Sequence, residues 1–154
     1  MPNYIKPTFT LTSNKNSVPA GQNPGPLSIA LSLSVTDLLS VDETQSQIVE
    51  VSNGSPQQLF TGASTMGGPG AGGTKGGFLY LRNVSAASAT NVIYVGVDAT
   101  QDDLGGSGGA DAKRLFTLKV GEFAFLPYDY NYNINIDASA AGQQLEYWLF
   151  DRGA

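Results

Sequence analysis

Apolar and polar residues alternate along much of this 154-residue chain with a period of two, the mark of strands that bury one face. The clearest stretch runs from Arg114 to Asp137, RLFTLKVGEFAFLPYDYNYNINID. It predicts two strands paired as a hairpin through Val120-Gly121-Glu122, a tyrosine-rich corner, and a third strand. In that third strand Tyr132, Ile134 and Ile136 alternate with Asn131, Asn133, Asn135 and Asp137, so the first set is the expected core face.

The rest of the chain repeats the pattern. Thr8 to Thr12 is a short strand with Phe9 and Leu11 on one face. Leu27 to Val35 sets Ile29, Leu31, Leu33 and Val35 against serines and Ala30, a small uncharged face that suits either solvent or the close approach of another surface. Thr36 to Asp42 fits a helical turn capped by Thr36 or further strand, and the strand is favoured. Ser46 to Ser52 and Gln57 to Thr61 are strands on either side of the Asn53-Gly54 turn signal. Phe78 to Asn83 and Asn91 to Asp98 are apolar on both faces; they are expected to lie inside a sandwich and to pair with each other across a small-residue hairpin loop. Gln143 to Asp151 closes the series, with Leu145, Tyr147 and Leu149 on one face and Trp148 and Phe150 on the other. Nine or ten short strands with almost no helical pattern predict an all-β antiparallel sandwich or jelly roll over 27–154. Residues 1–26 carry Pro2, Pro7, Pro19, Pro24 and Pro26 and are expected to form an extended arm, or a frayed terminus. Gly62 to Gly77, half glycine, and Ala99 to Ala112 are expected as flexible loops.

Composition narrows the chemistry. There is no cysteine and no histidine, which removes disulfides, thiol catalysis, imidazole bases and most transition-metal sites. Charged residues make up 14% of the chain and the net charge is −5, against nucleic acid and against anionic membrane surfaces. No leader-like apolar segment opens the sequence and no run is long enough to span a bilayer, so a soluble protein made in the cytoplasm is expected.

The motifs that invite chemistry each meet an objection. Gly68 to Lys75, GPGAGGTK, has lysine after threonine and no helix behind it, unlike a phosphate-binding loop. Asp98, Asp102, Asp103 and Asp111 lack the spacing of a calcium loop. Carboxylate pairs drawn from Glu122, Asp129, Asp137 and Glu146 are of the kind any acidic chain offers. Tyr128, Tyr130 and Tyr132, with Phe123, Phe125 and Trp148, form an aromatic constellation. It suits core packing around the corner after Pro127, a protein interface or stacking on sugar rings, and the interface is preferred over the sugar.

From Lys75 onward, KGGFLYLRNVSAASATNVIYVGVD, then KRLFTLKVGEFAFLPYD, then LEYWLFDRG resemble small virion structural proteins of tailed bacteriophages, capsid decoration (cement) proteins among them. The resemblance covers roughly the second half of the chain. It implies a non-enzymatic protein without cofactors that assembles in the host cytoplasm and binds across major capsid protein subunits on the virion surface. It also implies a homo-oligomer, a trimer by preference. Tyr4, Ile5, Phe9 and Leu11 of the arm and Tyr128 and Tyr130 of the corner are the expected docking residues. The alternatives are a neck, tail or baseplate component, and a carbohydrate-binding or receptor-binding β-sandwich.

Overall fold

The structure is a computed structural model that describes residues 3–12, 30–34, 39–60, 77–86, 90–98, 104, 113–129 and 132–152. All named elements in them are strands: β1 (Asn3–Ile5), β2 (Thr8–Thr12), β3 (Ala30–Ser34), β4 (Leu39–Val51), β5 (Gln57–Phe60), β6 (Gly77–Asn83), β7 (Val92–Val97), β8 (Arg114–Lys119), β9 (Phe123–Tyr128), β10 (Ile134–Ala138) and β11 (Gln143–Arg152). They form a five-stranded sheet, β1-β4-β11-β6-β9, a four-stranded sheet, β5-β10-β7-β8, and a two-stranded ribbon, β2-β3. All the strand pairings are antiparallel. The all-β sandwich is therefore the fold.

The order of the strands is set by how often the chain changes sheets. β4, β6, β9 and β11 belong to the first sheet and β5, β7, β8 and β10 to the second, so from β4 onward every connection except β7–β8 crosses the sandwich. This overturns two expected pairings. β6 pairs with β11 and β9, not with β7. β8 and β9 are not a hairpin, because β8 pairs with β7 and β9 with β6. The tight turn is real: the Glu122 amide donates to the Lys119 carbonyl at 2.9 Å, and Gly121 takes φ +82° at the third turn position, a value that favours glycine. It serves as a corner between sheets. Asn53-Gly54 does the same between β4 and β5, with the Gly54 amide donating to Asp137 Oδ1 at 3.0 Å and Asn53 Nδ2 to the Ala138 carbonyl at 2.7 Å.

Period-two alternation delivers the core. Val51, Leu79, Leu81, Tyr128, Leu145, Tyr147 and Leu149 from the first sheet meet Phe60, Ile93, Val95, Leu118, Ile134, Ile136 and Ala138 from the second. Phe60 stands edge-on to Tyr147 at 4.9 Å between ring centroids, a favourable geometry for two quadrupoles. At β6 the same phase that buries Leu79 and Leu81 buries a polar residue, Asn83. Its amide donates to the Glu122 carbonyl at 3.0 Å and its carbonyl accepts from Gly121 at 2.8 Å. Its side-chain Nδ2 donates to the Leu118 carbonyl at 3.0 Å, and Oδ1 accepts from the Ser85 amide at 3.1 Å. One residue thus ties β6 to β8 in the opposite sheet and to the corner that leads into β9.

On the second sheet the outer face of β7 is covered. Leu104 is fully buried, and a Cβ on Gly96 would collide with its side chain and with the Lys113 carbonyl. Arg114 donates to the Leu104 carbonyl while its guanidinium lies 4.1 Å from the Tyr94 ring centroid. The apolar outer face of β7 is explained by this clamp.

Replacing Asn83 with alanine leaves the Leu118 carbonyl and the Ser85 amide without their partner. A loss of about 2–4 kcal/mol is expected in urea unfolding, because each buried group left unpaired costs about 1–3 kcal/mol. Exposed Arg82→Ala, one residue away, should stay within about 0.5 kcal/mol of the parent. Equal small effects for the two variants would refute the role given to Asn83.

Candidate functional site

The feature with no role in the fold is the outer face of the first sheet. Register lays it out in rows. Ile48, Glu146, Arg82 and Phe123 form one row across β4, β11, β6 and β9; Ser46, Trp148, Tyr80 and Phe125 form the next. Phe150, Phe78 and Pro127 continue it over β11, β6 and β9. The sequence positions these residues by phase, since each except Ser46 is one step from a residue in the core or packed against it on the same strand.

Neighbouring rings on this face are stacked. Phe78 and Phe125 lie 5.9 Å apart and nearly parallel, Tyr80 and Phe123 6.0 Å apart, and Trp148 and Phe150 6.2 Å apart. The first two pairs are diagonal across β6 and β9, a separation that large rings bridge. Trp148 Nε1 donates to Glu146 Oε1 at 3.1 Å, which fixes the indole on the surface. Much of the face is open to solvent: Ile48 is 57% exposed, Phe123 56%, Trp148 40% and Phe125 39%, while Tyr80 and Phe150 are half-buried and Phe78 is buried. Glu146 and Arg82 sit together in the first row, and the rows of Trp148 and Phe150 hold no charged residue among the described side chains. From strand spacing and rise the patch covers on the order of 300 Å². Contiguous apolar patches of that size on soluble chains are commonly functional.

The structure divides the expected aromatic constellation. Phe123, Phe125 and Trp148 are on the open face, joined by exposed Ile48 and half-buried Tyr80 and Phe150, which that constellation did not include; Phe78 lies in the same rows but is buried. Tyr128 and Tyr132 exchange the roles expected of them. Tyr128 continues the inward phase of Ala124 and Leu126, is buried, and donates its hydroxyl to the Tyr132 carbonyl at 2.8 Å. It is a core residue and offers no docking ring in this chain. Tyr132 precedes β10 and is 50% exposed. Tyr130 lies outside the described residues.

Of the arm residues, Tyr4 and Ile5 are in β1, opposite Ser40 and Leu39, and Phe9 and Leu11 are in β2, opposite Leu33 and Leu31. Ile5 is half-buried; for Tyr4, Phe9 and Leu11 the description ends at the backbone. The glycine-rich stretch from Gly62, the phosphate-loop look-alike, and Asp102, Asp103 and Asp111 fall outside the described residues, apart from Gly77 in β6.

The carboxylates have local partners. Glu122 accepts from the Lys119 amide at 2.8 Å. Asp137, buried despite its place on the polar side of β10, accepts from the amides of Gly54 and Ala138. Asp98, at φ +45°, accepts from the Asn133 amide at 3.0 Å. Among the described residues no group of three or more acidic side chains is placed to hold a metal ion. No described helix is long and apolar enough to cross a membrane.

No protein-family model, curated protein or solved structure matches this chain.

If the aromatic face serves a partner and not the fold, its residues contribute little to stability. Trp148→Ala should cost less than about 1.5 kcal/mol in urea unfolding, whereas Leu149→Ala, one residue on and facing inward, should cost about 2–5 kcal/mol. Equal losses would mean that the outer rings are part of the folding core.

Proposed function

We propose that this chain is a non-enzymatic structural protein of a phage particle, a decoration protein that binds across major capsid protein subunits and stabilises the shell. The observation that carries the reading is the open aromatic face of the first sheet. Its exposed members, Ile48, Phe123, Phe125 and Trp148, lie outside the core cluster, and burying them against another protein removes apolar surface from water at about 25 cal/mol per Å². The sparse charge of the central rows fits a surface that is desolvated on assembly, since unpaired charges would oppose burial. The resemblance from Lys75 onward points to the particle as the setting.

The small footprint suits a repetitive lattice. A standard interface takes about 800 Å² from each partner, so a patch on the order of 300 Å² makes a weak single contact. Repetition over a symmetric shell converts weak contacts into stable binding through effective concentration. A sugar-binding reading uses the same rings differently. It needs free ring faces, and the stacking of Phe78 on Phe125, Tyr80 on Phe123 and Trp148 on Phe150 already engages one face of each. The protein partner is therefore favoured.

Mixed with expanded phage shells, the purified chain should co-sediment and saturate at a fixed ratio to the major capsid protein. Phe123→Lys combined with Trp148→Lys should abolish co-sedimentation while leaving the unfolding transition intact. Failure of the parent chain to bind shells, or undiminished binding by the double variant, would overturn the assignment.

A further inference from the structure

The edge of a sheet presents unpaired N–H and C=O groups, and sequences blunt such edges against stray pairing. Four edges of the two larger sheets carry such devices. β1 is three residues long. β9 contains Pro127, which has no N–H to offer. β5 has four residues and meets β10 through a register shift between Ile134 and Asn135. β8 begins at Arg114 and ends at Lys119, and its register with β7 shifts between Val95 and Gly96. β4 differs. β1 pairs with it at Leu39, Ser40 and Val41, and beyond Val41 its outer side has no neighbouring strand among the described residues. From Thr44 to Val51 it runs in unbroken register with β11 and contains no proline, glycine, lysine or arginine.

This edge is open and held in place. Gln45, Ser46, Gln47 and Glu50 are exposed, as is Ile48. Along a strand paired on one side, alternate residues point N–H and C=O away from the partner. Gln45 Nε2 donates to the Tyr147 hydroxyl at 3.1 Å, and that hydroxyl donates to Gln47 Oε1 at 3.3 Å. Tyr147 is a core residue, so the edge is anchored from behind. On the outer face Ser46 and Ile48 stand at the ends of the Trp148 and Phe123 rows, so the edge is continuous with the aromatic face.

We infer that the partner adds an extended strand, uncharged at its centre and basic at its ends, to the free edge of β4 between Thr44 and Val51. The proposal deepens the assembly reading given above and rests on it for the source of the strand. The unpaired backbone groups select an extended chain, since only such a chain meets them at every second residue. Charge selects its ends. Every charged residue of β4, Asp42, Glu43 and Glu50, is acidic, and these residues flank an uncharged run from Thr44 to Val49. Two copies paired through this edge would bring three acidic residues each, and no cation, to one seam; like charges across a strand pair oppose it. Strand addition draws its affinity from main-chain hydrogen bonds, so it suits a surface whose apolar patch is small. Side chains of the added strand on the outer side would lie beside Ile48 and lengthen the aromatic rows by one position.

Two synthetic peptides test the edge on the full chain. Both alternate threonine and valine; one has a lysine at each end and the other a glutamate. At millimolar concentration the lysine-ended peptide should shift the backbone amide resonances of Thr44 to Val51 and slow hydrogen exchange at alternate amides there. At low salt it should bind about fivefold or more tightly than the glutamate-ended peptide. Glu43→Lys with Glu50→Lys should reverse that preference. Ser46→Lys with Ile48→Lys should abolish binding of the lysine-ended peptide while the unfolding transition stays cooperative, and Phe123→Lys with Trp148→Lys should leave peptide binding intact. Shifts confined to other strands, no preference between the peptides, or undiminished binding by Ser46→Lys with Ile48→Lys would each overturn the inference. A parent chain that binds neither peptide yet co-sediments with shells removes the strand addition and leaves the virion reading. A chain that binds the lysine-ended peptide at β4 and ignores shells does the reverse.

Discussion

Everything in this sandwich depends on how Asn83 is satisfied. Burying an amide side chain without partners costs several kcal/mol, so a polar residue in the core phase of a strand is tolerated only where its groups are met. Here Leu118, Gly121, Glu122 and Ser85 meet them, and those partners lie in the opposite sheet, in the corner between β8 and β9, and just past β6. A change in the level of β8 or in the corner would leave the amide unpaired. The sandwich is thereby fixed at one register between sheets, which the apolar contacts around it, being non-directional, would not select.

That fixed register decides what reaches the surface. Once Leu79, Leu81, Leu145, Leu149 and Tyr128 are committed inward, the residues between them must face outward, whatever their character. On the second sheet the outward residues of β7 are covered by Leu104 and the Arg114 guanidinium. On the first sheet they are rings held side by side, with Phe123, Phe125 and Trp148 left open. Isolated exposed apolar residues are ordinary on protein surfaces, but a contiguous stacked array is not. Trp148 and Phe123 lie outside the core cluster and stay exposed, which is why the array is read as an assembly surface.

The sequence announced strands and faces more reliably than partners. Alternation correctly placed Leu145, Tyr147 and Leu149 opposite Trp148 and Phe150, because phase is a local property. Pairing is not local. Asn53-Gly54 and Val120-Gly121 carry the chemistry of tight turns, and a tight turn that joins neighbours in a sheet has the same residues as one that crosses between sheets. Hence β8 and β9 read as a hairpin. Strands apolar on both faces read as fully enclosed, and on β6 the outer phase runs from buried Phe78 through half-buried Tyr80 to exposed Arg82. Tyr132 kept the alternation of Ile134 and Ile136 but lies before β10 begins, and Tyr128 took the buried place. Asn83 could have been found: it follows Leu79 and Leu81 in the same phase, and a polar residue in a core phase asks for partners. The open face was half visible in Phe123, Phe125 and Trp148; Tyr80 and Ile48 joined them only when register placed β6 between β11 and β9 and β4 on the far side of β11.

Hydroxyl-radical footprinting of the free chain and of assembled particles tests the central claim most directly. The account predicts that Trp148, Phe123 and Phe125 are oxidised readily in the free chain and protected in particles, while Leu115 on the second sheet, 51% exposed, changes little. Equal oxidation of Trp148 and Phe123 in both states would contradict the claim that this face is built to be covered.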